Sequence, residues 1–112
     1  VTNTNTGFYM TADETQTRID FSQAHVVSER LKVLSNSDRL KILCVLVDSE
    51  MNVQQIELQT DIHQPTLSQQ LTVLRKAEMV STRREGKQIF YQLSDPKLLT
   101  LMQTLYQLYC KA

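Results

Sequence analysis

The run QPTLSQQLTVL, residues 64–74, constrains this chain more than any other, because Leu67, Leu71 and Leu74 recur at helical spacing. A helix carrying that stripe must bury one face. The positions left over are Thr66, Ser68, Gln69, Gln70 and Thr72. An ordinary solvated helix would carry Glu and Lys there; this one offers uncharged donors and acceptors. Pro65 suits the first helical position, where its missing N–H costs nothing. Val80–Arg84 and Gln88–Leu93 then read as two strands, the second with Ile89, Tyr91 and Leu93 alternating inward. Between them Glu85-Gly86-Lys87 is a hairpin turn, with Gly86 free to take positive φ.

The rest of the chain supplies a scaffold for this unit. Residues 1–20 are rich in Thr and Asn without helical period and read as a flexible N-terminal arm; residues 21–112 read as one domain. From Ser22 to Leu34 the positions Val26, Val27, Leu31 and Leu34 form a helical stripe. Asn36 or Ser37 caps a second helix with Leu40, Leu43, Cys44 and Val47 facing inward. A third helix, Val53–Thr60, is expected to bury Val53, Ile56 and Leu58 before the turn Asp61-Ile62-His63. Pro96 opens a last helix whose apolar face (Leu98, Leu101, Met102, Leu105, Leu108 and Tyr109) is broader than so small a domain can bury internally. A second copy of the chain, meeting it along that face, accounts for the excess. The expected order is ααααββα, mainly α with a β-hairpin.

At 112 residues the chain has a modest single core. Twelve basic and twelve acidic residues balance, so the distribution of charge decides what it implies. Residues 75–87 hold Arg75, Lys76, Arg83, Arg84 and Lys87 against Glu78 and Glu85 only, a local electrostatic footprint. Two short helices around a tight turn, followed by a basic hairpin, describe a winged helix-turn-helix. In that fold the last of the two helices enters the DNA major groove and reads base edges by hydrogen bonding. Gln64, Thr66, Ser68, Gln69 and Thr72 are the candidate base or phosphate contacts, with Arg84 and Lys87 on the wing meeting phosphates or the adjacent minor groove of double-stranded DNA. Taken singly, the helix reads equally as a Gln-rich solvated helix and the turn as a surface hairpin; their combination points to DNA. A winged helix serving protein contacts is the rival binding module. A thiol enzyme lacks support, since there is no Cys-x-x-Cys, nucleophile–base pair or cofactor loop, so no catalytic residue is assigned. No apolar run approaches membrane-spanning length and no signal peptide is evident, so a cytoplasmic protein without a membrane partner is expected.

The segments LSNSDRLKILCVL (34–46) and QPTLSQQLTVLRKAEMVSTRREGKQIFYQL (64–93) resemble the ArsR/SmtB family of bacterial winged-helix repressors, the likeness spanning residues 22–110. The resemblance implies a homodimer whose first and last helices form the interface and whose fourth helix enters DNA. Two positions depart from the family's usual glycines, Asp61 and Glu78; Asp tolerates left-handed geometry better than Glu, and a local adjustment within the same fold is expected. Many members sense metals, but the third-helix region MNVQQIELQT carries no thiol, His25 and His63 stand alone, and only Cys110 on the last helix could coordinate. A tetrahedral site needs about four convergent ligands, so neither a metal nor a cofactor is expected.

Two cysteines remain, Cys44 and Cys110. From the residues alone they read as a small core hydrophobe and a terminal thiol, or as a pair. The segments ILC, RREGKQIFY and MQTLYQLYC are similar to the BigR/SqrR-type persulfide-responsive subgroup, with HlyU-like regulators close by. That likeness implies that reactive sulfur species bridge Cys44 and Cys110, releasing the dimer from its operator and derepressing sulfide-detoxification genes. A metal- or general redox-responsive repressor of the same family is the alternative. The neighbours of both thiols are expected to be largely apolar, limiting access by bulk oxidants.

Overall fold

Side-chain caps decide where the helices begin. The computed structural model describes residues 18–110, so nearly all of the expected N-terminal arm lies outside the described residues. Helix α1 spans Ala24–Leu34 and α2 spans Ser37–Val45. Asn36, in extended geometry, starts α2 by accepting from the Arg39 N–H at 3.0 Å. Asn52 starts α3 (Val53–Thr60) through a reciprocal capping box with Gln55, both bonds 2.8 Å. Helix α4 runs Thr66–Lys76, one residue beyond Pro65. Asp95 and Pro96 open α5 (Pro96–Leu105), the carboxylate accepting from the Lys97 and Leu98 N–H groups. These bonds, Leu98 first, hold the Asp95 carboxyl below its ordinary range.

The strands are β1 (Met51–Asn52), β2 (Val80–Glu85) and β3 (Gln88–Leu93), antiparallel in the order β1-β3-β2. Val80 pairs Leu93 and Glu85 pairs Gln88, so Gly86-Lys87 is a two-residue turn with Gly86 at φ +62°. The two-residue β1 was not anticipated; it pairs Met51 with Tyr91 and closes the sheet on its other edge. The order is therefore ααβααββα, and the mainly α winged helix-turn-helix expectation holds.

Helix α2 packs against α1, α3, α4 and α5. Around it lies one core that includes Ile42, Leu43, Ile56, Leu67, Leu71, Leu74, Met79, Tyr91, Leu98 and Met102. Three expectations need correction. Leu58 is 84% exposed, because Val53, Ile56 and Thr60 share the inward face of α3 and Leu58 lies about opposite them. Leu98 and Met102 are buried in the chain's own core, so they offer no surface for a second copy to cover. The last helix also does not run on unbroken: α5 stops at Leu105 and the chain continues as a π-helical turn, Tyr106–Cys110.

Both positions that depart from glycine adopt left-handed geometry, Asp61 at φ 60° and Glu78 at φ 59°. At Glu78 the end of α4 makes a full Schellman motif. The Glu78 N–H reaches the Arg75 carbonyl and the Met79 N–H reaches that of Leu74, both at 2.9 Å, with Leu74 and Met79 buried together. Ser94 donates from its hydroxyl to the Glu78 carbonyl and from its backbone N–H to that of Met79. The surrounding bonds thus hold a residue that the conformation itself disfavours. Glu78→Gly is expected to stabilise the protein by about 0.5–1 kcal/mol, since it removes the left-handed penalty at the cost of some chain entropy. Urea unfolding checks this: the midpoint should rise with an unchanged slope.

Candidate nucleic-acid interface and thiol groove

Burial of Leu67, Leu71 and Leu74 turns the opposite face of α4 outward. At 100° per residue Gln69 lies about opposite the stripe, flanked by Thr72, Val73 and Lys76. The candidate contacts divide by what else they do. Gln64 accepts from the Ser68 N–H at 3.1 Å and from the Ser68 hydroxyl at 2.7 Å, so this pair caps the start of α4. The Thr72 hydroxyl donates back to the Ser68 carbonyl. Thr66 and Gln69 make no side-chain hydrogen bond among the described residues and are exposed, which leaves their donors and acceptors for a ligand. Val73, 39% exposed on this face, is an apolar position that the polar pattern concealed.

The wing divides its arginines similarly. Arg83 is clamped by Glu50, with Nε and Nη2 within 2.8 Å of the carboxylate, reaches Glu85 at 3.0 Å and lies over the Phe90 ring. The Glu50 bond, then that of Glu85, raises the Arg83 pKa further. Its charge is therefore met by Glu50 just before β1 and by Glu85 in the wing. Among the described residues Arg84 makes only an Nε bond to the Gly86 carbonyl, and Lys87 is exposed beside Asn52, Glu57, Gln64 and Gln88. Neither Arg84 nor Lys87 takes part in an ion pair among the described residues.

Two positioning features carried no recognisable sequence signal. The Arg39 guanidinium donates to the Val33 carbonyl at 2.6 Å and to the Gln70 side chain at 2.9 Å, tying the end of α1 and the middle of α4 to α2. His63, in the turn between α3 and α4, faces Glu57 through Nδ1 at 2.8 Å and Asp61 through Nε2 at 2.9 Å. Only the doubly protonated ring donates to both. The Glu57 bond, then that to Asp61, raises the His63 pKa.

Both thiols are free and line one groove of about 420 Å³, with Leu40, Lys41, Val45, Gln59 and Thr60. Cys44 on α2 is half-buried, while Cys110 at the end of the π-helical turn is exposed. Burial, then the charge of Cys110, pushes the Cys44 thiol up. The expectation of apolar cover thus fails at Cys110, because the helix has left the core by that point. Among the described residues no three His, Cys, Asp or Glu side chains converge as metal ligands.

An apolar surface remains. Val26, Val27 and Leu31 of α1 are each about half exposed, at 50%, 50% and 52%. Leu108 is 68% and Tyr109 80% exposed; Leu101 is partly exposed and Leu105 half-buried. Arg30 on α1 reaches Asp95 at the start of α5 at 3.5 Å, linking the two elements that carry this surface.

A helical scaffold packed around α2, an outward polar helix and a basic hairpin define a winged helix-turn-helix DNA-binding protein. The family model described as "Bacterial regulatory protein, arsR family" matches residues 36–82. The chain is 48% identical over 88 residues to the biofilm growth-associated repressor of Agrobacterium fabrum, covering 79% of this chain and 75% of that protein. Among solved structures, the transcriptional repressor BigR from Xylella fastidiosa superposes with a TM-score of 0.75 at 43% identity, covering 92% of this chain and 100% of that one. A homodimeric winged helix-turn-helix DNA-binding domain from Mycobacterium bovis gives 0.68 at 28% identity, covering 81% and 86%. The chain belongs to the ArsR family of bacterial regulatory proteins. These relatives are named as repressors or as a DNA-binding domain.

Two outcomes test this geometry. Gln69→Ala is expected to lose about 1–3 kcal/mol on some operator variants and not others, whereas Lys87→Ala weakens all sequences alike and lowers the salt slope by about one. Anisotropy titrations over a set of duplexes and salt concentrations separate the two. For His63 the folded pKa is raised, so its contribution is complete below the unfolded value of about 6.5 and fades as pH rises through the folded value. The stability gap between wild type and His63→Gln should therefore be widest in mild acid and close towards alkaline pH in urea titrations. A gap independent of pH would remove the double ion pair.

Proposed function

We propose that the protein is a cytoplasmic homodimeric repressor that holds operator DNA through α4 and the wing while its thiols are reduced. It leaves the operator when reactive sulfur species bridge Cys44 and Cys110. The carrying observation is that both cysteines border one groove, between α2 and the end of the chain's last helical segment. The relatives named as repressors support the regulatory part of this reading. Dimerisation is supported by the exposed apolar face, now narrowed to Leu101, Leu105, Leu108 and Tyr109 together with Val26, Val27 and Leu31.

The chemistry balances without an external oxidant beyond the sulfur donor. A cysteine thiolate attacks the terminal sulfur of a persulfide R–S–SH, forming protein S–SH and expelling RS⁻. The second thiolate attacks the inner sulfur of that group, forming the Cys44–Cys110 bond and expelling HS⁻. The donor's sulfane sulfur is thereby reduced to sulfide as the two thiols are oxidised. Where both thiols first become persulfides, the same step gives a trisulfide and HS⁻. Because α2 packs against α3 and α4 as well as α5, a bridge drawing on α2 bears on the DNA-reading helix. A hundredfold loss of DNA affinity needs only about 2.7 kcal/mol of coupling. The predicted consequence is expression of genes for sulfide detoxification.

The exposure of Cys110 favours a second reading, a general thiol-redox switch, since an exposed thiol is open to peroxide as well as to persulfide. One experiment addresses both. Persulfide donor should add whole sulfur atoms by mass spectrometry, link Cys44 to Cys110 and release a promoter fragment. Cys44→Ser and Cys110→Ser should each bind DNA but form no intramolecular bridge. If either single variant were released as fully as wild type, the two-thiol switch would be wrong. Equal release by peroxide at equal dose would favour the general redox reading.

A further inference from the structure

Cys44 stands between two hollows of opposite charge. On one side a hollow of about 370 Å³ is lined by Val47, Asp48, Gln103, Tyr106 and Gln107. On the other lies the groove it shares with Cys110, and there the charged residue is Lys41. Lys41 is exposed, and neither it nor Asp48 takes part in an ion pair among the described residues. Asp48 therefore repels anions from the side that holds a single thiol. Lys41 attracts them to the side that holds both. Lys41 is also placed three residues before Cys44, next to it along the α2 surface.

We infer that Lys41 anchors the carboxylate of a small anionic persulfide carrier in this groove, so that the effector class is a carboxylate-bearing low-molecular-weight thiol persulfide. The inference rests on the sulfur-switch reading above and names its substrate. Lys41 has two tasks there. It holds the carrier with its terminal sulfur among the two thiols, and it offsets negative charge as RS⁻ departs. The carrier stays on the cationic side, where the second thiol can complete the bridge before the first persulfide is lost. A donor of equal sulfur content but without a carboxylate gains nothing from Lys41. Lys41 is a specificity residue and forms no bond to sulfur.

Iodoacetate and iodoacetamide test this on the reduced full chain, because they share a leaving group and differ in the carboxylate. The readout is the ratio of their alkylation rates at Cys44 and Cys110, by mass spectrometry, in wild type, Lys41→Gln, Lys41→Arg and Asp48→Asn. A unit charge at about 4 Å in water corresponds to about a fivefold rate effect. Lys41→Gln should therefore lower the iodoacetate-to-iodoacetamide ratio about three- to fivefold, with Lys41→Arg near wild type and Asp48→Asn no lower than wild type. The bridging rate with glutathione persulfide should fall by the same factor in Lys41→Gln. An unchanged ratio in Lys41→Gln, or an equal fall in Lys41→Arg, overturns the anchor. A lowered ratio with no bridge formed from glutathione persulfide, even in wild type, upholds the anion preference of the groove and defeats the sulfur-switch reading instead.

Discussion

The outward face of α4 is oriented by the burial of Leu67, Leu71 and Leu74. Each is nearly inaccessible, packed with Ile42, Leu43 and Ile56, and each such side chain contributes about 1.5–3 kcal/mol on burial. The consequence is rotational. With three leucines fixed on one side, α4 has a single azimuth, and Gln69 can only point away from the core. The Arg39–Gln70 bond adds a polar lock to the same helix from α2. An outward face made from uncharged polar side chains gains its orientation from the apolar face behind it.

The wing and the turns obey the same economy of roles. Arg83 is held by Glu50 and Phe90, so it stiffens the hairpin and leaves Arg84 and Lys87 to present charge. Gln64 and Ser68 end the exposed N-terminus of α4 by bonding each other. At Asp61 and Glu78 the backbone takes left-handed geometry without glycine. Helix-terminal hydrogen bonds hold both sites, with Ser94 added at Glu78 and His63 at Asp61.

Much of this was legible beforehand because its signals are periodic. The leucine stripe, the alternation of Ile89, Tyr91 and Leu93, and the helix starts at Asn36-Ser37 and at Pro96 each announce an element through local pattern. The short β1 did not, since two residues carry no alternation and its strand character comes from pairing with β3. Leu58, Leu98 and Met102 were misjudged because apolar identity does not say which surface covers a side chain; only the azimuth of the helix does. The Arg39–Gln70, Glu50–Arg83 and Glu57–His63 pairings join residues 6–33 positions apart in unremarkable polar runs, so nothing local marked them. The two cysteines were visible as residues, but the groove that joins them depends on where the last helix unwinds into its π-helical turn.

Helix α2 lines the thiol groove and also packs against α4. That arrangement carries meaning only if α4 and the wing are where DNA sits. Titrating a duplex fragment of the promoter preceding its own gene into the isotopically labelled reduced protein, followed by amide and side-chain NMR shifts, tests this most directly. The account predicts that the largest changes fall on the Gln69 side-chain amide, on Thr66, Val73 and Lys76, and on Arg84 to Lys87 of the wing. Leu67, Leu71 and Leu74 should move little. Shifts concentrated instead on α1 and the π-helical turn, with α4 and the wing unperturbed, would contradict it.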